Sequence, residues 1–557
     1  MKRLLSILLC ATMLLSLTAC GSGDIMLDNN TERMAPEDAK IELSTLLNNV
    51  SVSKVTDPVL DIYMEEEGDK LALADIDTFD ITVAGNGSIN IEIAAATELS
   101  SEAPDDWINT VAKNFNREGF EVNGKSVSVS VRKITSGEVV TYVAAGAYEP
   151  NVFIPSNDAW GSMLEASGIG ITEIEDRIAG NTAGILMSDD VYKTFHEKYK
   201  DDTVSNVLKA ANAGDIVFAY TNPYTSSTGL NILTAMLKDF DSKDPLSSKA
   251  SDALMEYQKT SPPVAYTTAV LRNQAKKGII DAMVMEEQAY VNSPELRDYT
   301  FIPFGIRHDH PVYTFDWNSD EENEAAKLFT EYCLSSENQK LASDKGFNRN
   351  DSYKSQSSGL SGTGYLTAQS LWKQNKNGGR PIVAVFITDT SGSMGGEPLH
   401  YLQESLIATT PYISDVHYVG LVSYSDTVTV NLPIDLFNSK HRAYFAGEVK
   451  NLTATGGTAT YDAILVALDM LEQKMAEIPD ATPLLFVLTD GDANNGYSLD
   501  RVGPIVAGLE VPVYTIAYNY NNMGDLEKLS SLNEAATIRA DSNDIVNQLR
   551  NLFNTQL

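Results

Sequence analysis

The sequence predicts an α/β protein with two globular domains, and three observations carry that prediction. Apolar runs of strand length alternate with helical apolar periodicity twice over, first across residues 85–350 and again across residues 379–557. A serine- and glycine-rich stretch, residues 351–378, separates the two series and has the composition of a linker. The length of 557 residues exceeds what one ordinary core organises. Hydrophobic residues at 43% and charged residues at 21% are globular proportions. A formal charge of −35 argues against a nucleic-acid partner, whose phosphates this chain would repel.

At the start of the chain, Lys2 and Arg3 precede an apolar run from Leu4 to Leu17, which is followed by Thr18, Ala19, Cys20 and Gly21. The run is short for a membrane span and has the layout of a secretory signal, with an ordinary cleaved signal and a single anchor helix as alternatives. Residues 1–20 resemble a bacterial lipoprotein signal. That resemblance implies export, lipidation of Cys20 and anchoring to the outer face of the bacterial cell membrane. Cys10 falls within the signal, so Cys333 is the one unmodified cysteine of the mature chain and no internal disulfide is expected. Residues 21–84 are polar and acidic and read as a tether, with Ile41 to Leu47 able to form a short helix.

In the first domain, Ile89 to Ala94 reads as a strand and Pro104 to Phe115 as a helix with Trp107, Val111 and Phe115 on one face. Val127, Val129 and Val131 alternate as in a second strand, Ser136 and Gly137 open a helix, and Val152 to Ile154 form a third strand before a polar loop. Strand signals continue at Ile185, Ile216 to Tyr220 and Ala282 to Val284, the pattern of a parallel sheet whose ligands bind beyond the strand ends. From Thr221 to Gly229 a hydroxyl-rich loop leads into a helix. Two readings fit it: Ser226, Ser227 or Thr228 caps the helix, or hydroxyls and free backbone N–H groups together bind an oxyanion or carboxylate.

This order of segments resembles a type II periplasmic solute-binding protein, in particular the branch fused to a C-terminal von Willebrand factor A domain. The resemblance implies two lobes that close over a small solute, with Thr97, Ser136, Asn157, Asn222, Ser227, Thr228 and Glu286 as cleft residues. Arg132 aside, no arginine lies in these segments to pair bidentately with an anion. His308 and His310 have an alternate spacing able to hold a metal on a strand, but with no third histidine or cysteine nearby a surface loop is the favoured reading.

The second domain shows apolar strands at Val383 to Ile387, Tyr418 to Tyr424, Leu484 to Leu488 and Val513 to Ala517, with Val428 and Val430 suited to an added edge strand. Helical stripes such as Ile464, Leu468, Leu471 and Met475 run between them, which predicts an open, doubly wound, Rossmann-like sheet. The strand from Ile382 ends in Asp389, Ser391 and Ser393, a set of hard oxygens suited to a divalent cation. Two further oxygen-bearing loops are Thr455 to Thr458 and Thr489 to Asp492.

Together these loops resemble the von Willebrand factor A family at all five positions of its metal-ion-dependent adhesion site. The resemblance implies hydroxyl ligands from Ser391, Ser393 and Thr458, and carboxylates from Asp389 and Asp490. Magnesium is the expected ion, with calcium or manganese as alternatives, and a partner's Asp or Glu completes the coordination. Asp492 and Glu397 read as solvated loop acids. The P-loop, Gly-x-Ser-x-Gly and His-Glu-x-x-His patterns are missing from the sequence, and no enzymatic activity is expected. The expected function is that of a lipid-anchored surface protein recognising a protein partner through its metal site. The alternative is a substrate-binding receptor of an uptake or sensing system, with the second domain as a docking module.

Overall fold

A computed structural model describes residues 33–61, 73–260, 262–265, 268–276, 278–518, 524–533, 535, 537–540 and 545–557. The signal segment and Cys20 lie outside the described residues.

The described chain enters at the second domain. Helix Pro36–Leu47 buries Ala39, Leu43 and Leu46 against that domain's core, and strand β1 (Val52–Lys54) pairs in parallel with Val428 to Val430. The sequence reads as a tether here, with a short helix possible at Ile41 to Leu47; the helix forms but is packed on the domain. The acidic composition conceals an apolar stripe at i, i+4 and i+7, while Glu37, Asp38 and Glu42 stay off the buried face. Residues Val59 and Asp61 continue the contact, donating their N–H groups to Glu448 Oε1 (2.8 Å) and Ala443 O (3.0 Å).

The first domain follows. Its first lobe is built on β2 (Ile81–Val83), β3 (Ile89–Ala95), β4 (Glu121–Val122), β5 (Lys125–Lys133), β6 (Val152–Ile154) and β7 (Ile171–Glu175). The chain then crosses to a second lobe made of β8 (Asn181–Ser188), β9 (Phe218–Thr221), β10 (Val264–Ala265), β11 (Ala282–Glu286) and β12 (Tyr299–His308), and returns to the first through β13 (Val312–Phe315). The sheet orders are β2-β5-β3-β6-β13-β7, with β4 on β5, and β10-β9-β11-β8-β12. Both crossings therefore run side by side between the lobes, where Ile178 N donates to His310 O at 3.3 Å. Trp107, Val111 and Phe115 form one core stripe as read, and Cys333 is buried in the same core.

The stretch expected as a flexible linker contains helix Gly362–Asn375, capped by Ser361 Oγ. Its Tyr365, Ala368, Gln369 and Trp372 are buried, and the Trp372 indole N–H donates to Tyr220 Oη at 2.9 Å. Serine and glycine dominate the composition before this helix, yet the large residues at helical spacing decide its state.

The second domain holds β14 (Ile382–Asp389), β15 (Tyr418–Tyr424), β16 (Val428–Leu436), β17 (Thr482–Thr489), β18 (Val513–Tyr518) and β19 (Thr537–Ala540), in the order β1-β16-β15-β14-β17-β18-β19. β16 was read as an edge strand, but β1 covers it. Helix Ile545–Gln556 packs Phe553 against Phe386 and Phe486 of the central strands. Its other face meets the first domain: Arg550 pairs with Glu138 inside the contact, and Tyr142 donates to Asn547 Oδ1 at 3.1 Å.

Candidate metal centre and interlobe cavity

β14 lies between β15 and β17, all parallel, so Asp389 and the Thr489–Asp490 turn emerge at the same edge of the sheet. Adjacent parallel strands bring residues at their carboxyl ends together by geometry alone. Asp389 is fully buried; its Oδ1 accepts from Ser391 N at 2.8 Å and its Oδ2 from the Thr489 hydroxyl at 2.6 Å. Ser391 Oγ lies 3.0 Å from Ser393 Oγ, which donates to Asp490 Oδ1 at 2.9 Å. The third loop is drawn in by Gly392 N donating to Gly456 O (3.0 Å) and Thr455 N donating to Thr390 O (2.8 Å). Gly456 has φ of +72°, and a Cβ there would strike the Asp426 carboxylate. Asn494, which the sequence did not single out, holds Thr458 by accepting its N–H at 2.9 Å and donating to its Oγ1 at 3.3 Å.

The donor set fits a small, hard divalent cation. Burial pushes the Asp490 carboxyl above its ordinary range, with the Asp389 charge adding to the rise and the Ser393 hydrogen bond opposing it; no cationic side chain figures among these influences. Two acids thus share one end of the sheet without a positive group between them. Among the described residues no cluster of three or more His, Cys, Asp or Glu side chains is placed to hold a metal. A metal centre here has to draw on hydroxyl oxygen, as this arrangement does. Asp492 and Glu397 are exposed.

Between the lobes of the first domain lies a cavity of ≈ 200 Å³, lined by five of the seven expected cleft residues: Thr97, Ser136, Ser227, Thr228 and Glu286. Asn157 is placed elsewhere, capping helix Asp158–Ala166 with its Oδ1 accepting from Ala159 N at 3.2 Å. Asn222 belongs to the domain contact, its amide donating to Thr555 Oγ1 at 3.3 Å. Of the two readings of the Thr221 to Gly229 loop, the geometry shows capping: Ser226 Oγ accepts from Gly229 N at 3.3 Å and lies 2.7 Å from Thr221 Oγ1. A larger cavity of ≈ 360 Å³ lies over the second lobe and contains none of the expected residues.

Sequence reasoning missed Glu98, Asp105 and Gln288 in the cavity wall; behind it stand His308 and His310, for which a surface loop is the favoured sequence reading. His310 faces an acceptor at each nitrogen, Ala179 O at 2.6 Å and Glu98 Oε1 at 3.2 Å, as an imidazolium requires. Burial opposes that charge most strongly, but the Glu98 hydrogen bond and charge, the Ala179 carbonyl and the Glu286 charge together outweigh it and the His310 pKa rises. Burial likewise pushes Glu98 up, yet His310 and the Ser156 hydroxyl together draw it down to about 2. His308 Nδ1 lies 2.5 Å from Glu286 Oε1. Burial, reinforced by the Glu98 charge, raises the Glu286 pKa. The surface-loop reading of His308 and His310 does not hold: both rings are fully buried, and each faces its own carboxylate.

Residues 97–348 match the bacterial extracellular solute-binding protein family, and residues 384–554 match the von Willebrand factor type A domain. Inter-alpha-trypsin inhibitor heavy chain H3 of Mus musculus is 28% identical over 177 residues, covering 29% of this chain and 20% of that protein, so the chain spans about a fifth of its length. Among solved structures, iron-bound HitA from Pseudomonas aeruginosa aligns over 52% of this chain and 99% of its own at 14% identity, with a TM-score of 0.39. A von Willebrand factor type A protein from Catenulispora acidiphila aligns over 31% of this chain and 42% of its own at 19% identity, with a TM-score of 0.29.

Proposed function

From the premise that this chain joins a bacterial extracellular solute-binding domain to a C-terminal von Willebrand factor type A domain, we propose a surface binding protein that recognises a protein partner through an acidic side chain. One observation carries the reading. Asp389, Ser391, Ser393 and Asp490 are hydrogen-bonded into one cluster at the edge of the sheet, with Thr458 held alongside. When bound, a divalent cation, magnesium first and calcium or manganese as alternatives, supplies positive charge with a coordination position left for an outside carboxylate.

The chain's own residues do the positioning. Asp389 is fixed from two sides and shielded from water, whereas Ser393 is exposed at the rim, so the centre opens in one direction. A partner carboxylate entering there loses water and becomes the centre of the interface, the position from which hot spots act. This role is binding and not catalysis. Export and lipidation at Cys20 complete the proposal and place the protein on the outer face of the bacterial cell membrane. The described chain enters at the metal-bearing domain, which puts that domain next to the anchor in sequence.

A second reading, small-solute binding by the first domain, is favoured by the interlobe cavity and the five expected residues in its wall. The test of the main reading is capture of partners from membranes by the full chain with magnesium and with a chelator. Partners retained by the wild type with magnesium, and lost both with chelator and in Asp389→Ala, are the expected result; equal capture in all three conditions overturns it.

A further inference from the structure

The wall of the interlobe cavity specifies a class of solute, a step that rests on reading the cavity as a solute site. Its charged lining residues are Glu98, Asp105 and Glu286, all carboxylates, and no lysine or arginine joins them. A second observation points the same way. Gln288 is fully buried in the wall and its Oε1 has no hydrogen-bond partner, while its Nε2 donates to Asp105 Oδ1 at 2.7 Å. An orphaned buried acceptor calls for a donor, since it has lost its hydration and gained nothing in return.

The wall offers an anion no cationic side chain, and its longer helix starts are already capped. Of the helices that start in the wall, Ser136–Ala144 and Ser227–Phe240 are capped, with Thr135 Oγ1 accepting from Glu138 N at 3.4 Å and Ser226 Oγ accepting from Gly229 N at 3.3 Å, while the two short ones, Thr97–Ser100 and Glu287–Val291, carry the Glu98 and Glu286 carboxylates at their starts. The Ser156 hydroxyl donates to Glu98, whereas Ser136 Oγ, accepting from Ser156 N at 3.1 Å, and Ser227 Oγ, accepting from Trp160 Nε1 at 2.8 Å, keep their O–H groups, which serve a solute of either sign. An oxyanion entering this wall would exchange hydration for carboxylates and an unpaired carbonyl, which is unfavourable. A metal ion is the other positive candidate. Among the described residues no cluster of three or more His, Cys, Asp or Glu is arranged to hold one, which favours an organic cation whose N–H donors spread over several acceptors.

We propose that the interlobe cavity binds a small organic ammonium compound whose N–H groups donate to Asp105, Glu286 and Gln288 Oε1. Its volume of ≈ 200 Å³ is below the roughly 300–1,000 Å³ of sites for drug-sized ligands, so the solute is a short amine.

The test is calorimetric titration of the full chain with ethanolamine and putrescine, and in parallel with glycolate, sulfate and molybdate. Variants Asp105→Asn and Glu286→Gln are run alongside after their unliganded melting temperatures are read. The expected result is one amine site per chain, no anion binding, and at least about tenfold weaker amine binding in Asp105→Asn, since hydrogen bonds to charged groups are worth about 1.5–3 kcal/mol. Binding of an anion without binding of an amine overturns the cationic class and leaves the cavity as a solute site. Silence towards both sets, with the magnesium response intact, overturns the cavity as a solute site and the inference with it. Amine binding unchanged in both folded variants overturns the assignment of these carboxylates.

Discussion

The proposed metal face takes its oxygens from three loops at one edge of a single sheet, whereas the interlobe cavity collects Thr97, Ser136, Thr228 and Glu286 from two lobes that must first meet. The electrostatics differ as well. At the proposed metal face burial and the Asp389 charge raise the Asp490 carboxyl with no cation among the influences on it, while behind the cavity Glu98 is met by His310 and Glu286 by His308. The difference teaches where each proposed site would get its specificity: the first from an incomplete ligand shell turned outward, the second from the acceptors left over after internal pairing.

The sharpest way to break the comparison is to ask whether the two sites sit in separable bodies. Arg550 of the second domain and Glu138 of the first are both almost fully buried where they pair, and Glu138 follows Ser136 of the cavity wall by two residues. Removing one partner of such a pair leaves a buried charge uncompensated, so Arg550→Ala is expected to cost about 3–5 kcal/mol in urea unfolding and to shift both domains together. Two independent transitions with one unmoved would show that the sites are uncoupled.

Leu43→Ala asks whether residues 33–61 belong to the metal domain. A leucine 3% exposed in that core should cost about 2–5 kcal/mol when truncated; a loss under about 0.5 kcal/mol would return the stretch to a tether. The cavity side is sharpened by pH. The folded Glu98 value lies below the ordinary 4.5, so its contribution is present above that value and is lost as pH falls toward about 2. The folded His310 value lies above 6.5, so its contribution is present below 6.5 and is lost as pH rises through the folded value. The pair should stabilise the first domain most between 4.5 and 6.5, and His310→Gln should flatten both limbs of a plot of urea midpoint against pH. A wild-type profile identical to that of the variant contradicts the pairing. The smallest effect is expected for Lys40→Ala, on the same helix as Leu43, because its 3.0 Å pair with Glu472 is half-exposed; the cost is about 0–1 kcal/mol in the same urea assay.

How much of this was legible follows from how local each feature is. Asp389, Ser391 and Ser393 sit within one turn beyond a strand, and Asp490 ends its neighbour, so a parallel sheet assembles them without further information. Asn494 behind Thr458 carries no such mark. In the cavity the hydroxyls could be read as helix starts, but Glu98 and Gln288 acquire meaning only when the lobes meet, and Asn222 was claimed by a helix from the other domain. Ala39, Leu43 and Leu46 are hidden by acidic neighbours, so composition averaged over a window conceals a stripe that packing uses; Trp372 stands out among serines and glycines as a residue able to dock, and it does.

Calorimetric titration of magnesium into the full chain and into Asp389→Ala tests the central claim most directly. The account predicts one ion per wild-type chain and none in the variant, with both folded as judged by the same unliganded unfolding transition. Equal magnesium binding by the two proteins would contradict it.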